Sequence, residues 1–336
     1  MGCVTSGGCL LSKHTIFNIL CNLCLTLSLI SDIISKYFEI QRTFRIGDVM
    51  RPYHTESNIN EDLDDCSKWR SFPWKIYLIV LALALLAAVI KIPAVIFSIG
   101  AIGQPQDWML ISVMSVLQDI VPFGLIPAFT GLLLVNRTGF DLPIIKALLA
   151  RKPLGKMIKN EALVALISAL ILSVVAIIVL VLLKPAIQND FASRGLSLSD
   201  FEGRSQAPYW AMGLASFSAG TLEEIGFRLG LMSLVAFLGG LVWKDTAKRP
   251  TSSVIWTAIL LVALLFGAVH VSNIAALGLP FTPSLIGYAV IGNLVPGIFF
   301  GWLYWKRGLE TAIVTHIIFD LFVHVLFPFG MQLFGQ

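Results

Sequence analysis

The chain consists of long apolar runs separated by short polar links, a pattern that predicts an all-α, polytopic membrane protein. Each clear run is long enough for a helix to cross ~30 Å of hydrocarbon, which takes ~20 residues. A weaker run at 16–34 is interrupted by Asn18, Asn22 and Asp32, so we expect a bundle of seven to eight spans. The clear runs are 76–98, 108–135, 160–183, 209–241, 254–272, 285–305 and 309–327.

Composition supports the same interpretation and limits the partners. Apolar residues make up 57% of the chain and charged residues only 13%, with a mean hydropathy of +0.83. Soluble domains average roughly 45–50% apolar and 25% charged residues. The net charge of +4 is spread over the links rather than gathered in a patch, which argues against a nucleic-acid partner. The expected environment is the lipid bilayer.

Lysine and arginine are concentrated in alternate links, which predicts the orientation in the membrane. The 136–159 link is rich in both, whereas 99–107 and 273–284 contain neither and 185–208 contains only two. Under the positive-inside rule the basic links are cytoplasmic. We therefore predict a multi-pass protein of the plasma (inner) membrane with an extracytoplasmic C-terminus. The other basic residues on the cytoplasmic side include Lys244, Lys248, Arg249, Lys306 and Arg307.

The pattern suggests three segments. Residues 1–75 form an N-terminal leader and cytoplasmic segment, 76–208 the N-terminal transmembrane helices and 209–336 the C-terminal transmembrane helices. A start of translation at Met50 is an alternative, which would remove the 16–34 run. All the cysteines precede the bundle, so a disulfide framework for the core is excluded; they are Cys3, Cys9, Cys21, Cys24 and Cys66.

Ionisable residues inside the C-terminal runs are candidates for function. A charge at the centre of a membrane helix costs roughly 2.5–3.5 kcal/mol on insertion scales, so a cluster of such residues requires an explanation. Glu224 and Arg228 are four residues apart and can pair on one helix face. Glu223 is rotated by about 100° and can face another neighbour. The other members of the cluster are His270, His316, Asp320 and His324.

The order of these residues resembles the CPBP family, which comprises the CAAX prenyl proteases and their bacterial, Abi-like bacteriocin-processing and immunity relatives. The motifs are Glu223-Glu224-x-x-x-Arg228, then Phe266-x-x-x-His270, then His316-x-x-x-Asp320. The resemblance covers about 209–327 and implies an intramembrane endopeptidase whose catalytic helices are in 209–336. Its substrate would be a membrane-embedded peptide or a lipidated, CAAX-like protein.

The resemblance also implies roles. Glu223, helped by His270, would activate the attacking water, and His316 with Asp320 would stabilise the oxyanion. Glu224, Arg228 and Phe266 would support them. Asp320 stands where many CAAX proteases have Asn, and an ionised carboxylate repels an oxyanion. Asp320 must therefore be protonated or else orient His316.

The need for a metal stays open at this point. Glu223, His270 and His316 could bind a divalent ion such as zinc with one open position. The absence of a His-Glu-x-x-His motif favours a mechanism without an obligatory metal. Two other functions also stay open: a catalytically inactive immunity or scaffold protein, and a proton-coupled transporter.

Helix lengths give an expected depth for each group. At 1.5 Å per residue, Glu223 and His316 lie ~9 Å and ~10 Å from the cytoplasmic boundary and Asp320 ~16 Å. The same count puts His270 ~10 Å or more nearer the outer boundary. We nevertheless expect the side chains to converge on one wet pocket beneath the cytoplasmic surface.

Overall fold

The computed structural model describes residues 72–100, 107–197 and 207–334, which contain helices and no β-strand. Seven helices or continuous helical stretches in these ranges are long and apolar enough to cross a membrane, which confirms the all-α polytopic bundle and the seven clear runs. The 16–34 run and all the cysteines lie outside the described residues. The α-helices are α1 (Trp74–Ile90), α2 (Ile92–Gly100), α3 (Trp108–Asp119), α4 (Ile126–Thr138), α5 (Pro143–Leu149), α6 (Gly155–Ala192), α7 (Tyr209–Glu223), α8 (Ser233–Val242), α9 (Ser252–Val269), α10 (Ser272–Ala276), α11 (Pro283–Arg307), α12 (Leu309–Asp320) and α13 (Phe327–Phe334).

Apolar side chains occupy both the inner and the outer faces of the spans. In α9, Ile259 and Val262 are buried in the core, whereas Leu260, Leu261 and Leu264 are about half exposed. A helix that is apolar all round suits a position between protein and lipid, where its backbone hydrogen bonds are satisfied within the helix. The outer leucines are therefore the lipid-facing surface.

Three spans contain a π-helical segment among the described residues, where the sequence pattern predicts a continuous α-helix. They are Ile120–Leu125, Glu224–Met232 and Leu321–Leu326. The second begins one residue after Glu223 and the third one residue after Asp320. π-Helical turns are rare and are frequently found at functional sites. Here the second segment contains most of the first motif, from Glu224 to Arg228, and the third directly follows the last motif.

Close backbone approach holds α7 against α12. A Cβ atom on Gly220 would lie only 2.8 Å from the backbone nitrogen of Ile317, so only glycine permits this contact. Small residues are the usual means by which membrane helices approach each other. The contact brings Glu223 next to His316.

A buried ion pair fixes the start of α12. The Arg307 Nε atom donates a hydrogen bond of 3.0 Å to Glu161 Oε2, which also accepts one of 2.8 Å from Thr311 Oγ1. Between α11 and α12, Gly308 has φ +101° and lies against Pro143, so a side chain has no room there. This arrangement sets the position of His316, two turns further along α12.

Candidate active site

Glu223 and Glu224 have different surroundings, as their spacing to Arg228 predicts. The Glu224 side chain is fully buried, and its Oε2 atom lies 3.2 Å from Arg228 Nε. The Glu223 side chain is 24% exposed and lies in a cavity. One carboxylate is thus held in an ion pair, and the other is available to react.

Arg228 is held by aromatic faces as well as by charge. Its guanidinium carbon lies 4.8 Å from the ring centroid of Phe266 and 5.7 Å from that of Phe300. Its Nη2 atom donates a 3.4 Å hydrogen bond to the Gly297 carbonyl. The 3.2 Å contact with Glu224 lacks hydrogen-bond alignment, so Coulomb attraction holds the ion pair together. Cation–π contacts with the two rings hold the guanidinium in place. Arg228 therefore braces both the carboxylate and the two rings.

His316 is fixed on three sides. Its Nδ1 atom lies 2.9 Å from Glu224 Oε1, and an ionised carboxylate can only accept, so Nδ1 carries the hydrogen and donates. The imidazole stacks on Phe300 with a centroid distance of 4.4 Å. The remaining nitrogen, Nε2, lies 3.9 Å from Glu223 Oε2 and 3.6 Å from Asp320 Oδ1. This nitrogen is directed into the site.

The tautomer of His270 is set by a backbone carbonyl. Nδ1 lies 2.7 Å from the carbonyl oxygen of Phe266, which can only accept a hydrogen bond. Nδ1 therefore bears the hydrogen, and in the neutral ring Nε2 has a free lone pair. Nε2 lies 4.0 Å from Glu223 Oε2. His270 thus presents a base to the same carboxylate that faces His316.

The motif residues meet around a cavity of about 430 Å³. Glu223, His270, His316 and Asp320 line it together with His324, and the remaining wall is mostly apolar. The wall also contains Asn273 and Asn293, to which the sequence pattern gave no role. Their only sequence signal was an uncharged amide within or next to an apolar run, which is weaker than a charge. The expected convergence of three spans is thus observed.

The depth count from the sequence is wrong for Glu223 and His270. It assumed a span that begins at Tyr209 and takes ~30 Å, whereas the helical stretch continues to Val242. Counted instead from the helix ends at Val242 and Ser252, which the basic link connects, both groups lie about 27–29 Å along their helices at 1.5 Å per residue. The His270 ring also folds back toward Phe266.

The position of the cavity differs from the expectation as well. It reaches Asn273, Leu277 and Leu279 in and beside the link that contains no lysine or arginine. No residue of the basic links 136–159 or 243–251 lines it. The prediction of a pocket beneath the surface assigned to the cytoplasm is therefore wrong, since the cavity lies toward the opposite side of the bundle.

Asp320 lies between two histidines. Its Oδ1 atom is 3.6 Å from His316 Nε2 and 3.9 Å from His324 Nε2. The His324 side chain is 54% exposed, whereas that of Asp320 is only 10% exposed. The carboxylate is thus placed to stabilise positive charge on His316, which matches the predicted orienting role better than direct contact with an oxyanion.

The candidate zinc ligands do not fit a metal ion in this arrangement. Zinc bonds of 2.0–2.1 Å put two tetrahedral ligand atoms about 3.3 Å apart. Glu223 Oε2 is instead 3.9 Å from His316 Nε2 and 4.0 Å from His270 Nε2. Within the described ranges, no three His, Cys, Asp or Glu side chains form a group that could hold a metal.

Fold and site together define an integral multi-pass membrane protein with a carboxylate–histidine cluster in an intramembrane cavity. Residues 205–322 match the model of the type II CAAX prenyl endopeptidase family, Rce1-like, which confirms the resemblance to CAAX-type proteases over about a third of the chain. The matched range contains all three motifs. No curated protein and no solved structure matches the chain.

Proposed function

We propose that this protein is an intramembrane endopeptidase that cleaves a membrane-associated peptide or a prenylated, CAAX-like protein with water activated by Glu223 and His270. The observation that carries the proposal is the placement of Glu223. Its carboxylate is outside the Arg228 ion pair and faces two histidine Nε2 atoms at 3.9 Å and 4.0 Å in a cavity. The family match supports the same reaction class.

The gap between Glu223 and His270 suits one water molecule. Hydrogen bonds of ~2.8 Å to two acceptors 4.0 Å apart subtend about 90° at the water oxygen, near the angle between its O–H bonds. Both hydrogens are then engaged, and an oxygen lone pair points toward a substrate carbonyl. Glu223 takes one proton as the oxygen attacks, and that proton passes to the leaving amine.

His316 is the proposed oxyanion donor. Since its Nδ1 hydrogen is used on Glu224, Nε2 can donate to the oxyanion only as part of a cationic ring. Glu224 and Asp320 lie close enough to stabilise that cation. Asp320 is therefore a positioning residue in this scheme, and no step passes through a metal.

The proposal is tested with purified protein in liposomes. A farnesylated CAAX peptide and an unprenylated transmembrane peptide serve as substrates, with products identified by mass spectrometry. We expect cleavage of at least one peptide, unchanged after dialysis against a chelator. His270→Ala should lower kcat by at least about 100-fold because it removes a base. The matched control, Ser272→Ala, changes an exposed residue outside the cavity at the same helix end.

Equal turnover by His270→Ala and the unsubstituted protein would contradict the peptidase assignment. Proton-coupled uptake lost in His270→Ala, without cleavage of either peptide, would favour a transporter instead. Neither the transporter nor the inactive scaffold is favoured by a feature of the described residues. Loss of cleavage after treatment with a chelator would contradict the metal-free scheme but not the peptidase assignment.

We also propose the orientation that the basic links predict: a plasma (inner) membrane protein with an extracytoplasmic C-terminus. The cavity would then lie nearer the outer side. Leu277→Cys, an exposed position in the outer link, should react in intact cells with a membrane-impermeant maleimide, above the labelling of the unsubstituted chain. Lys244→Cys in a basic link should react only after permeabilisation. The reverse pattern would overturn the orientation.

A further inference from the structure

One wall of the cavity, contributed by α11, contains polar groups that the proposed reaction does not use. Asn293 lines the cavity and its Nδ2 atom donates a 2.8 Å hydrogen bond to the Ala289 carbonyl one turn earlier. An amide has two N–H donors and an oxygen acceptor, so this bond leaves one donor and the acceptor for another partner. A polar side chain inside an apolar helix of the membrane requires such a partner.

Pro296 adds a second group to the same wall. Proline has no N–H, so it cannot donate the helical hydrogen bond to the carbonyl of Gly292, four residues earlier. Gly292 also lines the cavity, and a Cβ atom there would meet nothing nearer than Tyr288 Cε2 at 3.9 Å. The helix backbone is thus accessible from the cavity at this residue. Gly297 differs, because a Cβ atom there would lie only 3.2 Å from Ala263.

A peptide in this cavity needs groups of this kind. Each residue of an extended chain carries an N–H donor and a C=O acceptor, and leaving them without partners away from water costs free energy. Most of the cavity wall is apolar and offers no hydrogen bonds. The Gly292 carbonyl and the Asn293 amide provide an acceptor and a donor–acceptor pair on adjacent residues.

We propose that Gly292 and Asn293 bind the main chain of the substrate peptide inside the cavity. The inference rests on the proposed function in taking a peptide as the ligand, and it adds what holds that peptide: backbone hydrogen bonds along α11. The missing side chain of Gly292 lets the peptide approach the helix backbone, a use for which glycine is suited. Asn293 then pairs with the neighbouring peptide group.

Alanine at position 292 tests the close approach. The methyl group has room within the fold, and alanine favours a helix over glycine, so the variant should fold. It fills the space that the peptide would occupy, and we expect about a tenfold weaker binding of the farnesylated CAAX peptide. Gly287→Ala is the matched control, because it lies on the same helix, has open space around it and does not line the cavity. Equal binding by both variants overturns the inference.

An amide-to-ester exchange in the peptide tests the role of Asn293. Binding is measured by fluorescence anisotropy on the Glu223→Gln background, with either Asn293 or Asn293→Leu. Replacing the contacted peptide N–H by an ester oxygen should weaken binding about five- to tenfold when Asn293 is present, as for one hydrogen bond. With leucine the same exchange should change binding less than twofold. Exchanges at successive peptide positions locate the contacted group.

The outcomes separate this inference from the peptidase proposal. Main-chain recognition is overturned if, at every peptide position, the ester exchange has the same effect on binding with Asn293 as with Asn293→Leu. It is also overturned if no peptide binds at all. A peptide that binds with the expected ester effect but is never cleaved by the unsubstituted protein supports main-chain recognition and overturns the peptidase. Cleavage lost in His270→Ala but unaffected by Gly292→Ala and Asn293→Leu keeps the peptidase and overturns the inference.

Discussion

Replacing Glu223 with glutamine is expected to lower kcat about 1000-fold while leaving the fold intact. Glutamine keeps the volume of the side chain but cannot accept the proton that water must lose, and such transfer contributes 10²- to 10⁴-fold to catalysis. Because Glu223 is outside the buried ion pair, its loss leaves no charge without a partner. The measurement is steady-state cleavage of the best peptide substrate in liposomes, together with thermal unfolding in detergent.

Glu310→Gln is the matched control for this change. Glu310 is another carboxylate inside a membrane span, but it accepts a 2.8 Å hydrogen bond from the Ile145 backbone nitrogen and does not line the cavity. The glutamine oxygen can accept the same bond, so cleavage should be retained. If Glu223→Gln kept more than a tenth of the activity, water activation by Glu223 would be refuted. An equal loss in Glu310→Gln would indicate a general effect of changing membrane carboxylates.

The roles of Glu223 and Glu224 illustrate how far the sequence can be interpreted. Helical spacing alone predicted that Arg228 would pair with Glu224 and leave Glu223 to another neighbour, and this is observed. The prediction succeeded although the segment from Glu224 is π-helical rather than α-helical. The pair survives the change because a long arginine side chain tolerates a shift in direction. The partner of a shorter side chain would have been harder to predict from helical spacing.

Other features depended on contacts that no local pattern contains. The depth of His270 follows from where α9 ends and from a hydrogen bond to the Phe266 carbonyl. Asn293 becomes notable only because Pro296 opens the helix beside it and a cavity adjoins both. Periodicity reports which residues are apolar, but it does not say which faces of different helices enclose a space. The spans were thus predictable, and the shape of the cavity was not.

The buried ion pair has a second consequence for the site, because its members also position His316. Glu224 accepts the hydrogen bond from His316 Nδ1, and Arg228 lies against Phe300, on which His316 stacks. Stability and the geometry of the candidate site therefore depend on the same residues. Substitutions at Arg228 and Glu224 separate these two contributions.

Arg228→Met should lower the free energy of unfolding by about 3–5 kcal/mol, the usual cost of breaking a buried ion pair by removing one partner. Methionine keeps much of the packing against Phe266, but Glu224 loses the cation beside its carboxylate. The measurement is unfolding by denaturing detergent, monitored by helicity, with the unsubstituted protein as reference. Cleavage should fall as well, since His316 loses its fixed setting.

Adding Glu224→Gln to Arg228→Met should recover most of the lost stability, because the buried carboxylate is then removed together with its partner. The glutamine oxygen can still accept the hydrogen bond from His316 Nδ1, but it no longer stabilises a cationic imidazole. We therefore expect the double variant to unfold nearly like the unsubstituted protein and to cleave at least about tenfold more slowly. Full recovery of both properties would show that the pair serves only the fold. Failure to recover stability would show that aromatic contacts with the guanidinium, rather than charge pairing, hold these helices together.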